Sequence, residues 1–177
     1  MTLKHSINIQ YLNTTIGELI LGAYQGCLCL LDFRYRKMRH SVDLRLQQGL
    51  AANYIECSEP ILEQAKLEIK QYLSGQRLDF ELPLVTVGTE FQKLVWQALQ
   101  TIPYGSTASY LELAQQIGKP KAVRAVANAN GANAIGLIIP CHRIIGSDGS
   151  LVGYGGGLSA KKKLLAIEYT NTRVTSR

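Results

Sequence analysis

The apolar residues of this chain change their period once, and the change divides the fold in two. In the first part they recur at every second position: Ile7, Ile9 and Tyr11 alternate with polar residues, residues 19–23 alternate again, and Cys27 to Phe33 forms a third run. A period of two is what a strand with one covered face requires. Turn residues at 13–17 and at Gln25-Gly26 separate the runs, so this part reads as a three-stranded antiparallel meander. Residues 34–53 are basic and weakly patterned, which suggests a loop and a short helix. From Pro60 the period becomes helical: Ile61, Leu62, Ala65, Ile69, Tyr72 and Leu73 share one face until Gly75 stops the helix. A small sheet with a helix laid on it is an α+β unit. Residues 76–88, with Pro83, read as an extended linker, which places a boundary between residues 1–88 and 89–177.

The second part is helical and well punctuated. Thr89 with Gln92 forms a capping box, followed by the stripe Phe91, Leu94, Val95, Ala98, Leu99 and Ile102. Ser109 with Glu112 forms another and opens a short helix with core residues Leu111, Leu113, Ala114 and Ile117. Gly118 ends it. A third helix is expected to start at Lys119-Pro120 and to close at Gly131. Two short helices joined across a glycine give a helix-turn-helix pattern, and the second would bury Val123 and Val126 while turning Lys121, Arg124 and Asn128 outward. A last helix is expected from Ser159, packing Leu164, Leu165 and Ile167. Its opening turn carries Lys161, Lys162 and Lys163, the wrong sign for the positive end of a helix dipole, and a phosphate backbone would be their natural counterpart.

Composition narrows the function classes. With 177 residues, 46% hydrophobic and 18% charged, the chain is an ordered protein with a real core. No stretch approaches the ~20 apolar residues of a membrane span, and the N-terminus lacks a signal peptide's apolar region. A cytoplasmic protein, nuclear in a nucleated cell, is the expectation. The net charge of +6 is compatible with a polyanionic partner, and Lys119, Lys121, Arg124, Arg143 and the lysines at 161–163 concentrate it in the last third. Four cysteines in a chain of this length do not make a disulfide scaffold. Cys27, Cys29, His40 and Cys57 lack the paired short spacings of a structural zinc site, so core or surface thiols are expected there and no metal.

The fourth cysteine differs in its surroundings. Ile138-Ile139-Pro140-Cys141-His142-Arg143-Ile144-Ile145 sets a nucleophilic sulfur, an imidazole and a guanidinium side by side between apolar runs. Residues 134–139 and Ile144-Ile145 are short and rich in β-branched residues, so both read as buried strand. Pro140 has no N–H for a ladder; it should end the first strand and place Cys141 on a rigid turn. Cys beside His is weak evidence alone, because neighbouring side chains on an extended chain diverge. Residues 146–149 read as a hairpin turn. The loop Gly153-Tyr154-Gly155-Gly156-Gly157 fits neither a Walker A nor a dinucleotide fingerprint, but its amides would let a flat ligand approach beside an aromatic ring.

Taken together, Pro140-Cys141-His142-Arg143, the Arg124 helix and Gly153-Tyr154-Gly155 resemble the 6-O-alkylguanine-DNA alkyltransferases, also named methylated-DNA–protein-cysteine methyltransferases. The likeness runs from Phe91 to Glu168 and takes in Val95-Trp96, Ser109-Tyr110, the run Gly118-Lys119-Pro120-Lys121-Ala122-Val123-Arg124-Ala125-Val126, and Asn133. Residues 1–88 are similar in layout to the family's ribonuclease H-like domain; residues 89–177 would be its DNA-binding, winged helix-turn-helix-like domain. The resemblance implies a repair protein that moves an alkyl group from guanine O6 in duplex DNA to its own cysteine, once and irreversibly, without a cofactor, as a monomer. Activity on thymine O4 is left open. Cys141 would be the acceptor, His142 its base through a water, and Glu168 the group that steadies His142. Tyr110 would protonate the leaving base, and Asn133 would hold the turn around the active-site loop. Arg124 would enter the base stack and evert the nucleotide, with Lys121, Ala125, Ala127 and Asn128 on the DNA side of the same helix. Tyr110, Ile144, Tyr154 and Gly155 would line the alkylguanine pocket. Some relatives carry a hydroxyl residue where Gly155 stands, and others a proline where Ala134 stands. Two rivals would use the same residues: a lesion recogniser that does not repair, although such relatives lack the cysteine, and a Cys-His hydrolase, for which no acyl pocket is evident.

Overall fold

Residues 5–175 are described by the computed structural model. Strands β1 (Ser6–Thr14), β2 (Gly17–Tyr24) and β3 (Cys27–Phe33) form the antiparallel meander. A fourth strand, β4 (Asn53–Glu56), pairs in parallel with β1, so the order is β3-β2-β1-β4 and the three-stranded expectation is corrected to four. None of the four residues of β4 is buried, so no alternation announced it. The basic stretch before it is mainly helix α1 (Arg39–Leu50), which buries only Val42 and Leu46.

In β2 the residues 19–23 are buried without a break, because both faces of the sheet are covered. Leu19, Leu21 and Ala23 join the large core that α2 (Pro60–Leu73) shares with the C-terminal helices, whereas Ile20 joins a smaller core with Val42 and Leu46. The alternation is therefore in destination rather than in exposure. Gly22 belongs to the second face, where a Cβ would stand 2.9 Å from that of Leu30.

The free edge of β3 is where the two parts of the chain meet. Leu28 donates to Pro83 O (2.8 Å) and accepts from Val85 (3.0 Å), so the linker is laid along the strand. Three residues on, Leu31 donates to Ala134 O (2.8 Å) and accepts from Gly136 (2.7 Å). Covering the edge in this way removes a pairing liability and brings residue 134 and its successors against the sheet. Residues 134–139 are not the expected strand, however. They make one bridge, Leu31 to Ile135, and then coil through Leu137 at φ 66°.

The C-terminal part comprises α3 (Glu90–Leu99), β5 (Ala108–Ser109), α4 (Tyr110–Gln116), α5 (Val123–Gly131), a 3-10 turn (Cys141–Arg143), β6 (Ile144–Ile145) and α6 (Gly157–Thr175). Both capping boxes are present with both reciprocal bonds. β5 and β6 pair in parallel. Trp96 joins α3 to α5 by donating from its indole to Ala129 O (2.8 Å). Three helical expectations change. Leu94 and Leu111 are exposed rather than core. The helix after Pro120 begins at Val123, residues 119–122 being a turn closed by Ala122 N donating to Lys119 O (2.9 Å). The last helix starts two residues earlier than Ser159, after Gly156, at a glycine with φ +85°. Among the described residues no helix is long and apolar enough to cross a membrane.

Candidate active site

The 3-10 turn at Cys141–Arg143 departs from an extended chain, and with it goes the objection that neighbouring side chains diverge. The turn is held from below by Asn133. Its amide nitrogen donates to Ile139 O (2.8 Å), and its oxygen accepts from Ile135 N (3.0 Å). These side-chain bonds replace the ladder that a strand over residues 134–139 would have made, which is why the β-branched run coils. Asn133 also bonds the Cys141 thiol, partly offsetting the burial that pushes that thiol's pKa up. At rest the sulfur is therefore protonated and needs a base before it can attack.

His142 is fully buried, and its ring has two unlike ends. Nε2 lies 2.7 Å from Glu168 Oε1 on α6, while Nδ1 makes no hydrogen bond to the protein. Burial lowers the imidazole pKa, and the bond to Glu168 works against that shift. Glu168 is buried too. Arg143 reaches it through Nε (3.0 Å to Oε2) and Nη2 (2.9 Å to Oε1), and Gly105 N donates to Oε2 (3.0 Å). Burial would raise this carboxyl; the bonds from His142 and Arg143 outweigh it and bring the pKa down to about 2. Glu168 is thus a carboxylate at every working pH, so the proton between the two sits on Nε2 and Nδ1 is left with a lone pair.

Cys141 opens into a cleft of about 470 Å³, a size that admits a planar ligand. Tyr110, Ala127, Asn128, Asn133, Tyr154 and Gly155 line it. Tyr110 is half-buried; desolvation and the neighbouring Cys141 raise its phenol pKa, with a hydrogen bond to Asn130 opposing. A Cβ at Gly153 would stand 3.9 Å from Tyr110 Oη, so the glycine loop and α4 close the cleft from two sides. Tyr154 packs edge-on against Phe33 (5.6 Å) and His142 (6.5 Å). A larger groove of about 850 Å³ lies on the other side of Arg143, along residues 76–80 and 102–104; Cys141, Tyr110 and Tyr154 take no part in it.

The expected residues fall into three groups. Cys141, His142, Glu168, Asn133 and Tyr110 come together around the turn. Lys121, Arg124, Ala125 and Asn128 are exposed at the start and along the outer face of α5, with Ala127 half-buried beside them. The Ile144 side chain does not line the cleft: it is fully buried, and the residue's carbonyl accepts from Lys161. The expectation for Lys161 is overturned. It is fully buried, and its ammonium donates to the carbonyls of Ile144, Val152 (2.7 Å) and Gly153 (3.3 Å), so it anchors the glycine loop instead of facing a phosphate. Residues 146–149 form a turn closed by Gly149 N donating to Gly146 O (2.9 Å), with no second strand to make it a hairpin.

The N-terminal part, which carries no motif, supplies residues that sequence reasoning missed. Asp32, Phe33 and Arg36 line the cleft. Arg36 bonds Asp32 (3.0 Å) and donates to Asn133 O (3.3 Å), and a Cβ on Gly155 would come within 3.0 Å of its guanidinium carbon. Tyr72, read only as helix core, donates to Glu168 Oε1. A basic cluster at residues 34–39 was the one available signal. Among the described residues no group of three or more His, Cys, Asp or Glu side chains is placed to hold a metal ion.

Comparison with known proteins points to one family. The family model described as the DNA-binding domain of 6-O-methylguanine DNA methyltransferase matches residues 90–170. A methylated-DNA–protein-cysteine methyltransferase of Methanosarcina barkeri is 43% identical over 162 residues, covering 92% of this chain and 97% of its own. Its counterpart in Mycobacterium leprae is 52% identical over 165 residues, 92% of each chain. In structure, the chain is similar to an OGT of Mycobacterium tuberculosis crystallised in complex with DNA, with a TM-score of 0.79 and 36% identity over 93% of this chain and 94% of that one.

Proposed function

This chain belongs to the methylated-DNA–protein-cysteine methyltransferases, DNA repair proteins that transfer alkyl groups from DNA to a cysteine of their own, and from that premise we propose that Cys141 is the acceptor and His142 its base. The observation that carries the proposal is the divided ring of His142: Nε2 is committed to Glu168, and Nδ1 is left to accept a proton. The Cys141 S–H proton passes through a water to Nδ1, and the sulfur becomes a thiolate. The thiolate attacks the sp³ carbon on guanine O6. A C–S bond forms as the C–O bond breaks, and that electron pair stays with the guanine. Tyr110 gives the base a proton and recovers one from the imidazolium, so the proton lost by sulfur ends on guanine and the relay returns to its starting state. The sulfur does not return, because a thioether has no thiol-exchange route back. Each molecule acts once, as a monomer.

Duplex DNA carrying alkylated guanine is the proposed partner. The target carbon lies inside the stack, so the nucleotide must leave it. Arg124, exposed in the first turn of α5, is proposed to fill the gap. Ala125 and Ala127 let the helix backbone come close, and Lys121 and Asn128 meet the backbone of the strand. Tyr154 and Gly155 receive the everted base with Tyr110 opposite, and the carbonyls of Cys141 and Ile144 read its amino group, Ile144 through its second lone pair beside the bond from Lys161. We propose the division at residue 88 as the functional one: residues 89–177 carry DNA and sulfur, and residues 1–88 support them.

Peptide mass spectrometry after incubation with a duplex containing O6-methylguanine tests this reading, with an O4-methylthymine duplex as the second substrate. The expected result is one added methylene on the Cys141 peptide. Repaired DNA with an unmodified Cys141 contradicts it.

A further inference from the structure

Tyr72 sits in the last turn of α2, in the part of the chain that carries no motif, yet its phenol reaches the centre of the proton relay. It lies 70 residues from His142 and 96 from Glu168 in sequence. The side chain is fully buried, and its ring is fixed by Tyr104 (5.9 Å, edge-on) and Phe80 (5.1 Å). The hydroxyl donates to Glu168 Oε1, and its oxygen is 3.3 Å from His142 Nε2. As a member of the apolar face of α2, a phenylalanine would fill the same volume. The hydroxyl costs desolvation and has to be matched to a partner, and the partner is the carboxylate that orients the base.

We infer that Tyr72 is a positioning residue for the transfer reaction: by donating to Glu168 it fixes the carboxylate against His142 and sets how readily the imidazole takes a proton. The inference rests on the role proposed above for His142. The groups facing that ring are Tyr72 from α2, Glu168 and Lys161 from α6, Arg143 and Cys141 from the same turn, and Tyr154 from the glycine loop; Tyr104 faces Tyr72. Among them Tyr72 alone both donates to the carboxylate and touches Nε2. Its own pKa is raised by burial and by Glu168, so it remains a donor throughout the working range.

Two effects of removing the hydroxyl oppose each other. Without that donor the carboxylate charge is less satisfied and holds the imidazolium more strongly, which makes His142 easier to protonate. The loss of an oxygen near Nε2–H works the other way. Nε2–H is already directed at the carboxylate at 2.7 Å, so the neutral phenol oxygen at 3.3 Å is a weak second acceptor, whereas the phenol's bond to Glu168 is to a full charge; the first effect wins. Less of the base is then in its neutral form at a given acidic pH.

The test is the rate of single-turnover methyl transfer from an O6-methylguanine duplex, followed between about pH 5 and about pH 9. Tyr72→Phe is expected to slow transfer by about three- to tenfold on the acidic side and to keep the alkaline plateau within about twofold. Tyr72→3-fluorotyrosine keeps the ring and sharpens the donor; it is expected to move the acidic limb the opposite way, and it carries the test if the phenylalanine variant does not fold. Acidic limbs that coincide with wild type, whatever the plateau, overturn the inference. A wild-type protein that leaves no methyl on Cys141 overturns the reading beneath it, and that outcome is seen before either variant is made.

Discussion

Glu168 Oε1 stands 2.7 Å from His142 Nε2, with both side chains fully out of solvent, and Arg143 closes on the same carboxylate from the other side. Two consequences follow from this one contact, one for the base and one for the fold.

For the base, Glu168→Gln removes the charge that fixes the Nε2–H tautomer. Single-turnover transfer should fall by about two orders of magnitude or more, by the precedent of other base-orienting carboxylates. A rate within about threefold of wild type would remove Glu168 from the relay.

For the fold, the same substitution leaves the Arg143 guanidinium buried without its counter-charge. That should cost about 3–5 kcal/mol in urea unfolding. The pH dependence has a definite sign. The carboxyl's folded pKa is about 2 against an ordinary 4.5, so its contribution to stability is complete above the ordinary value and is lost as pH falls towards 2. Wild-type stability should therefore decline through that window, and the glutamine variant should decline less steeply.

The acid limb of the transfer rate reports His142. Burial holds the imidazole below its ordinary 6.5, so neutral base persists into mildly acidic solution and the limb's midpoint should lie below that value. A midpoint at or above 6.5 would mean that another group titrates.

Lys161→Met should strip the carbonyls of Ile144, Val152 and Gly153 of a shared donor. About 2–4 kcal/mol of destabilisation is expected, together with faster amide exchange over residues 150–156. Exchange unchanged in that loop would show that the lysine does not anchor it.

Arg124 is exposed, and replacing it should leave the unfolding midpoint in place. Arg124→Ala should slow transfer from duplex DNA by about tenfold or more while leaving transfer from the free alkylated base untouched, because only the duplex requires eversion. Equal losses on both substrates would place Arg124 in the chemistry instead.

What could be read from the sequence was what is local. The two capping boxes and the apolar face of α2 each lie within a single helix and its cap, and each formed as the pattern required; the helix pair around Gly118 formed as well, with its second helix starting at Val123. The exposed strand β4 left no pattern to read. Residues 134–139 have the composition of a strand, but Asn133 offers their backbone a nearer partner. The place of Lys161 in a helix carries no sign of the carbonyls of Ile144, Val152 and Gly153, which decide where it lies. Asp32, Arg36 and Tyr72 reach the cleft or the relay only because β3 presents its edge to residue 134 and α2 packs on the same core. No spacing within residues 1–88 encodes that convergence.

The proposed reaction uses one sulfur once. A titration of O6-methylguanine duplex against protein, with the lesions remaining and the methylated cysteine counted together, tests it most directly. A plateau at about one lesion repaired per protein molecule is expected, with every methyl group on Cys141 and no lesion repaired by Cys141→Ala. Repair that continues past that plateau, or that survives loss of the Cys141 thiol, would contradict it.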